Sequence, residues 1–227
     1  LASGFALASI RDLLLRFGSA LRATPEAALR RVLLYAPATE EAAQGFGALL
    51  RELGEAQAWT LLPVGGGGDA SSADLGAVLT GAARHCQQDL GCGRLVFIGS
   101  DCPELPPSEL QAALHTCRTP HAAHLCPADD GGYVLLGVPR ELFTSPARHA
   151  ARASLFQAVR WSSSDTCTSQ AHALARAGLR AVMGPTYHDC DEIEDLLGLE
   201  ARLRAAGAPA RCANVGAWLD CLREVLK

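Results

Sequence analysis

Three short stretches of the chain carry side chains that could do chemistry together. The apolar run Leu95-Val96-Phe97-Ile98 stops at Gly99-Ser100-Asp101, which sets a carboxylate at the end of a core strand. Asp129-Asp130-Gly131-Gly132-Tyr133 reads as a turn whose glycines let backbone approach a ligand closely. Asp189-Cys190-Asp191 closes a strand and opens a helix. Carboxylates gathered in one place repel one another unless a cation sits among them. Oxygen-only ligation suits magnesium or manganese, which keep several waters and bridge to phosphates. Each stretch also has an ordinary reading. Asp191 with Glu194 has the spacing of a helix cap, and Asp-Asp-Gly-Gly is a common turn. Asp101, followed by Cys102-Pro103, has no capping task and is the hardest to dismiss.

A fourth cluster, Cys117, His121, His124 and Cys126, falls within ten residues and could hold zinc. Its spacing matches none of the usual finger patterns, so ordinary core or surface residues are the expectation. His124 and Cys126 are expected on one face of a short strand, with His121 in the loop before it.

Elements that could position the acids follow from periodicity. Leu7, Ile10, Leu13, Leu14, Phe17 and Leu21 recur at helical spacing and predict an amphipathic first helix, not a signal peptide. Strands are predicted at "RVLLYA" (31–36), "QAWTLLP", 94–99, "AAHLC" and "LRAVM", and "DDGGYVLLGV" (129–138) reads as a tight turn feeding a strand. Helices are predicted after Thr39, which can cap with Glu40 and Glu41 against the dipole, over about 73–88, and from Pro106-Pro107 to Cys117. Residues 153–178 read as helical with a break at "RWSSS", and amphipathic helices over 201–227 finish the chain. "GGGGDASSADLG" (65–76) reads as a surface loop; it lacks both G-x-G-x-x-G and a following Gly-Lys-Ser/Thr, so the phosphate-loop reading fails. Alternating strands and helices imply one α/β domain: a three-layer sandwich around a mostly parallel mixed sheet, with ligands at the carboxyl ends of the strands.

Bulk composition narrows the function. Hydrophobic residues make up 49 % of 227, enough for a sizeable core, and the net charge of −4 argues against a nucleic-acid partner. No apolar run approaches a membrane span. Nine cysteines in scattered positions suggest reduced thiols and a cytoplasmic location.

"IGSDCPEL", "PADDGGYVLLG", "RWSSSDT" and "HDCDEIEDL" stand in the order and approximate spacing of a group of GT-A-like glycosyltransferases. Over about residues 1–200 the chain resembles this family, whose bacterial members are often labelled arsenosugar-type glycosyltransferases. Its patterns run G-S-D-x-P-x-L, P-A-x-D-G-G-Y-x-L-L-G, W-S-T and D-V-D-T-x-E-D-L. Asp74-Leu75-Gly76 resembles its D-L-G. The resemblance implies a nucleotide-diphospho-sugar transferase fold and a metal-dependent transferase. Asp101 and Asp130 would be catalytic, and Asp101, Asp189 and Asp191 would hold Mg2+ or Mn2+. Ser100, Asp74, Gly131, Gly132, Tyr133, Trp161 and Ser162 would bind the nucleotide-sugar or nucleotide substrate. Departures are Ser163 for the threonine of W-S-T, and Cys190, Glu192 and Ile193 in the last pattern. The family opens with a strand and a basic loop, F-A-K-x-P-x-P-G-x-V-K-T-R-L. This chain begins near the end of that loop, so a domain lacking its first strand and phosphate grip is expected. That leaves open whether these residues catalyse alone. Two alternatives stay beside the glycosyltransferase: a nucleotidyltransferase of the same fold, and a non-catalytic relative that binds a partner. An uncovered sheet edge would also invite a homodimer.

Overall fold

The protein is described from a computed structural model over residues 2–22, 29–64, 74–144, 155–205 and 212–225. Of the stretches read above, 65–73 of the glycine-rich loop and 153–154 of the broken helix lie outside these residues.

Helix α1 (Ala2–Arg22) has its apolar stripe where the periodicity put it, with Phe5, Ala8, Leu13, Leu14 and Phe17 buried. Leu7 is the exception at 44 % exposed: Leu14 packs on Leu49 and Leu50, but one heptad earlier that face is open. Strand β1 (Arg31–Tyr35) leads to α2 (Glu40–Glu52), where Thr39 Oγ1 accepts from Ala42 N at 3.2 Å and Glu40 and Glu41 fill the first turn. Strand β2 (Trp59–Pro63) pairs parallel with β1 from Arg31↔Trp59 to Tyr35↔Pro63.

Helix α3 (Leu75–Gln88), β3 (Leu95–Ile98), α4 (Pro107–Thr116), β4 (Ala122–Pro127), β5 (Tyr133–Val138) and the short α5 (Glu141–Thr144) follow. Then come α6 (Thr166–Arg176), β6 (Arg180–Met183), α7 (Ile193–Ala205) and α8 (Ala213–Val225). Residues 155–158, read as helical, form turns instead, and helix begins only at Thr166. The larger sheet runs β3-β5-β4-β6. It is mixed, as expected, although β5 is antiparallel to both β3 and β4, and only β4 and β6 are parallel. The reason is local: the Asp-Asp-Gly-Gly turn folds β5 straight back on β4, with no crossover helix between them.

Strands β4 and β5 read as nearly continuous apolar runs because both faces are covered. Leu125 and its cross-strand partner Leu136 face α3 and α6 with Ala83, Phe156 and Leu174. Cys126 and its partner Leu135 face α4 and α1 with Leu110, Leu114 and Phe17. These are the three layers. Helices α7 and α8 pack on α1 through Leu199, Val215 and Phe5. Buried Asp12 of α1 caps α8, accepting from Asn214 N at 3.0 Å and Val215 N at 2.9 Å. Among the described residues no helix is long and apolar enough to cross a membrane.

Candidate functional site

The parallel pair β4/β6 determines where the acids meet. It continues beyond both strands as a bridge between Ala128 and Tyr187. Tyr187 N donates to Pro127 O at 2.9 Å, and Asp129 N donates to Tyr187 O at 3.1 Å. The chain therefore leaves the sheet side by side at Asp129-Asp130 and at His188-Asp189-Cys190-Asp191. The loop after β3 is drawn to the same rim, because Cys190 N donates to Asp101 O at 3.1 Å. Ser9 Oγ of α1 donates to Ser100 O at 2.5 Å and holds that loop from behind.

Carboxylate oxygens of Asp130, Asp189 and Asp191 lie within 4.8 Å of one another. Asp101 stands outside this trio but within its field. Burial raises its carboxyl above the ordinary range, and Asp191 and then Asp130 push it further in the same direction. Asp189 is raised to about 7, first by burial and then by Asp130, Asp191 and Asp101. Mutual destabilisation of this kind is what a divalent cation relieves. Of the expected metal-binding acids Asp101, Asp189 and Asp191, the last two lie in this close group with Asp130, and Asp101 lies beside it. Asp130 Oδ1 accepts from Gly132 N at 2.6 Å, which fixes the turn. Asp129 is turned away into a pair with His188. A cavity of about 300 Å³ opens beside the rim, lined by Ser100, Asp101, Asp191, Glu192 and, from α1, Phe5 and Ala6.

The remaining predicted residues assemble on the other side of the Asp-Asp-Gly-Gly turn. Gly131 has φ +95, and a Cβ there would stand 2.1 Å from Ser164 O, so only glycine fits. Cys167 N at the start of α6 donates to Gly131 O at 2.8 Å. The Tyr133 ring lies 6.1 Å from that of Trp161. Among the described residues the indole N–H of Trp161 is buried without a partner, and it lies 2.9 Å from where a Cβ on Gly76 would be. That brings the start of α3 to the same place. Asp74 caps this helix by accepting from Gly76 N at 3.1 Å, and Ser162 is exposed with φ 51. Two predicted ligand contacts are therefore engaged internally: the Asp74 carboxylate by its helix, and the Tyr133 hydroxyl by Gln170 Oε1 at 3.0 Å. Sequence reasoning missed Gln170, His188 and the α1 wall of the cavity. None has a local signal, because each contact spans tens of residues.

The four-residue zinc candidate is not gathered as spaced. His121 is exposed, while His124 and Cys126 share a face with Glu109 of α4.

A family model described as an uncharacterised protein conserved in bacteria, DUF2064, matches residues 20–163. Among solved structures, the chain is similar to a provisionally assigned nucleotide-diphospho-sugar transferase from Desulfovibrio desulfuricans G20. The TM-score is 0.73 at 23 % identity, over 95 % of this chain and 80 % of that one. At this identity the likeness is one of fold alone. No curated protein matches the chain.

Proposed function

We propose, for a chain that belongs to the uncharacterised bacterial family DUF2064, a divalent-cation-dependent transfer from a nucleoside-diphosphate-sugar donor. The observation that carries this reading is the convergence of Asp130, Asp189 and Asp191, with Asp101 beside them, at the carboxyl-end rim of the sheet next to an open cavity. The donor set fits magnesium or manganese: it is all oxygen, partly open to solvent, and electrostatically unfavourable without a cation. Asp130, Asp189 and Asp191 would hold the ion. When bound, it supplies positive charge to the departing diphosphate.

The chain's own residues do the rest by positioning. Asp101, which lines the cavity and has its carboxyl raised by burial, is placed to accept the proton of an acceptor hydroxyl. Ser100 and Glu192 line the cavity beside it. Gly131 lets the acid-bearing turn seat against the loop after Trp161, which holds Asp130 at the rim. Trp161 and Tyr133 offer an aromatic wall near the start of α3 for a sugar or base.

One observation favours a second reading, a non-catalytic relative that binds the cation. Among the described residues lining the cavity there is no lysine or arginine to grip a diphosphate. Thermal melts separate the two. The transferase reading expects Mn2+ to raise the melting temperature and a uridine or guanosine diphosphate to raise it further, both effects disappearing in Asp191→Asn. A response to Mn2+ with none to either nucleotide selects the binding protein, and no response to Mn2+ rejects both.

A further inference from the structure

Beneath the rim, on the α4 face of β4, three side chains of different chemistry converge. Glu109 Oε2, His124 Nε2 and Cys126 Sγ form a triangle with sides of 3.3 Å (Glu–His), 3.5 Å (Glu–Cys) and 3.4 Å (His–Cys). His124 is 4 % exposed, Cys126 0 %, and the Glu109 side chain 12 %. We propose that these residues form a zinc site, separate from the acidic rim and built to pin α4 onto the sheet.

The spacing is the first argument. Zinc sits about 2.3 Å from sulfur, about 2.0–2.1 Å from imidazole nitrogen and about 2.0–2.2 Å from a carboxylate oxygen, so tetrahedral ligands stand about 3.3–3.6 Å apart. All three observed sides match. A hydrogen bond from an imidazole N–H to a carboxylate would normally close to about 2.7–2.9 Å, and the Glu109–His124 pair is wider than that. Charge is the second argument. A thiolate and a carboxylate balance a dication in a nearly dry pocket, and the sulfur and imidazole ligands select zinc over magnesium.

The surroundings are also those of a metal site. The second ring nitrogen of His124 has a hydroxyl partner, Thr116 Oγ1 at 3.5 Å, and Tyr187 hydrogen-bonds to Glu109. Gly184, whose N–H donates to Leu125 O, covers the open face of the triangle. A Cβ there would stand 2.7 Å from Cys126 Sγ, 3.0 Å from His124 Nε2 and 3.1 Å from Glu109 Oε2. A side chain at position 184 would therefore crowd all three candidate ligand atoms.

The test loads the intact chain with one equivalent of Zn2+ in excess Mg2+, removes loose metal by gel filtration and measures retained zinc by mass spectrometry. Co2+ loading in parallel reads the ligands through the sulfur-to-cobalt charge-transfer band. Wild type should retain about one zinc per chain and show that band. Cys126→Ser should lose the band, and Gly184→Ala, which changes no ligand, should weaken zinc retention by about tenfold or more. Asp191→Asn, at the rim, should retain zinc fully. The proposal is overturned if wild type retains no zinc, a result that needs no variant to fold. It is equally overturned if Cys126→Ser keeps both zinc and the cobalt band, or if zinc is lost with Asp191→Asn instead.

Discussion

Replacing Asp189 with asparagine should make the metal-free protein more stable above neutral pH, because it removes one of several mutually repelling carboxylates. The structure gives the magnitude. Burial and the charges of Asp130, Asp191 and Asp101 raise the Asp189 carboxyl to about 7 in the folded state, against about 3.9 in an unfolded chain. Between these values the folded state binds the proton more tightly, so stability falls as pH rises from about 4 to about 7 and then levels off. Unscreened, the shift would amount to about 4 kcal/mol above pH 7. The side chain is only partly buried, so solvent screening reduces this to about 1–2 kcal/mol. For a chain of this size that is about 2–8 °C in melting temperature. Melts in chelator should show Asp189→Asn above wild type at pH 8, with a much smaller gap at pH 5. Adding Mn2+ at pH 8 should raise the wild type and leave the variant nearly unmoved. An equal or lower melting temperature for the variant at pH 8, or a gap no larger there than at pH 5, would refute the repulsion argument.

Three further outcomes are expected. Gly131→Ala should lose about 3 kcal/mol or more in urea unfolding, since its Cβ would meet Ser164 O at 2.1 Å from a backbone at φ +95; a loss below about 1 kcal/mol would mean the turn relaxes. Tyr133→Phe should cost about 1–2 kcal/mol by stranding Gln170 Oε1, with Mn2+ affinity unchanged; a tenfold drop in that affinity would place the hydroxyl at the ion instead. Asp74→Ala should cost about 1 kcal/mol as a lost helix cap, measured by thermal melt. If it also abolishes a nucleotide-induced shift, the carboxylate serves the ligand as well as the helix.

What the sequence disclosed divides by range. The cap at Thr39, the α1 stripe and the apolar β5 were legible because each rests on neighbours within a turn or two of chain. The acid at 101 was legible for the same reason, an apolar run leading to a charge at a sheet edge; Asp191 lies well past the end of β6 and has no such local mark. The partition of Asp129 and Asp130 was not legible. Adjacent residues in a tight turn point apart, and only the bridge from Ala128 to Tyr187 decides that Asp129 meets His188 while Asp130 meets Asp189 and Asp191. The grouping of Glu109 with His124 and Cys126 was not legible either. His121 lies in an exposed turn and Cys117 sits against Gly137, whereas Glu109 reaches His124 and Cys126 from an overlying helix. No local spacing encodes a helix laid across a strand.

The most direct measurement is a Mn2+ titration of the metal-stripped protein, read by electron paramagnetic resonance of the free ion. Wild type should bind one Mn2+ per chain at the rim, more tightly when a nucleoside diphosphate is present. The Asp130→Asn/Asp191→Asn double variant should bind at least about tenfold more weakly. Undiminished Mn2+ binding in that variant would contradict the placement of the cation among these acids.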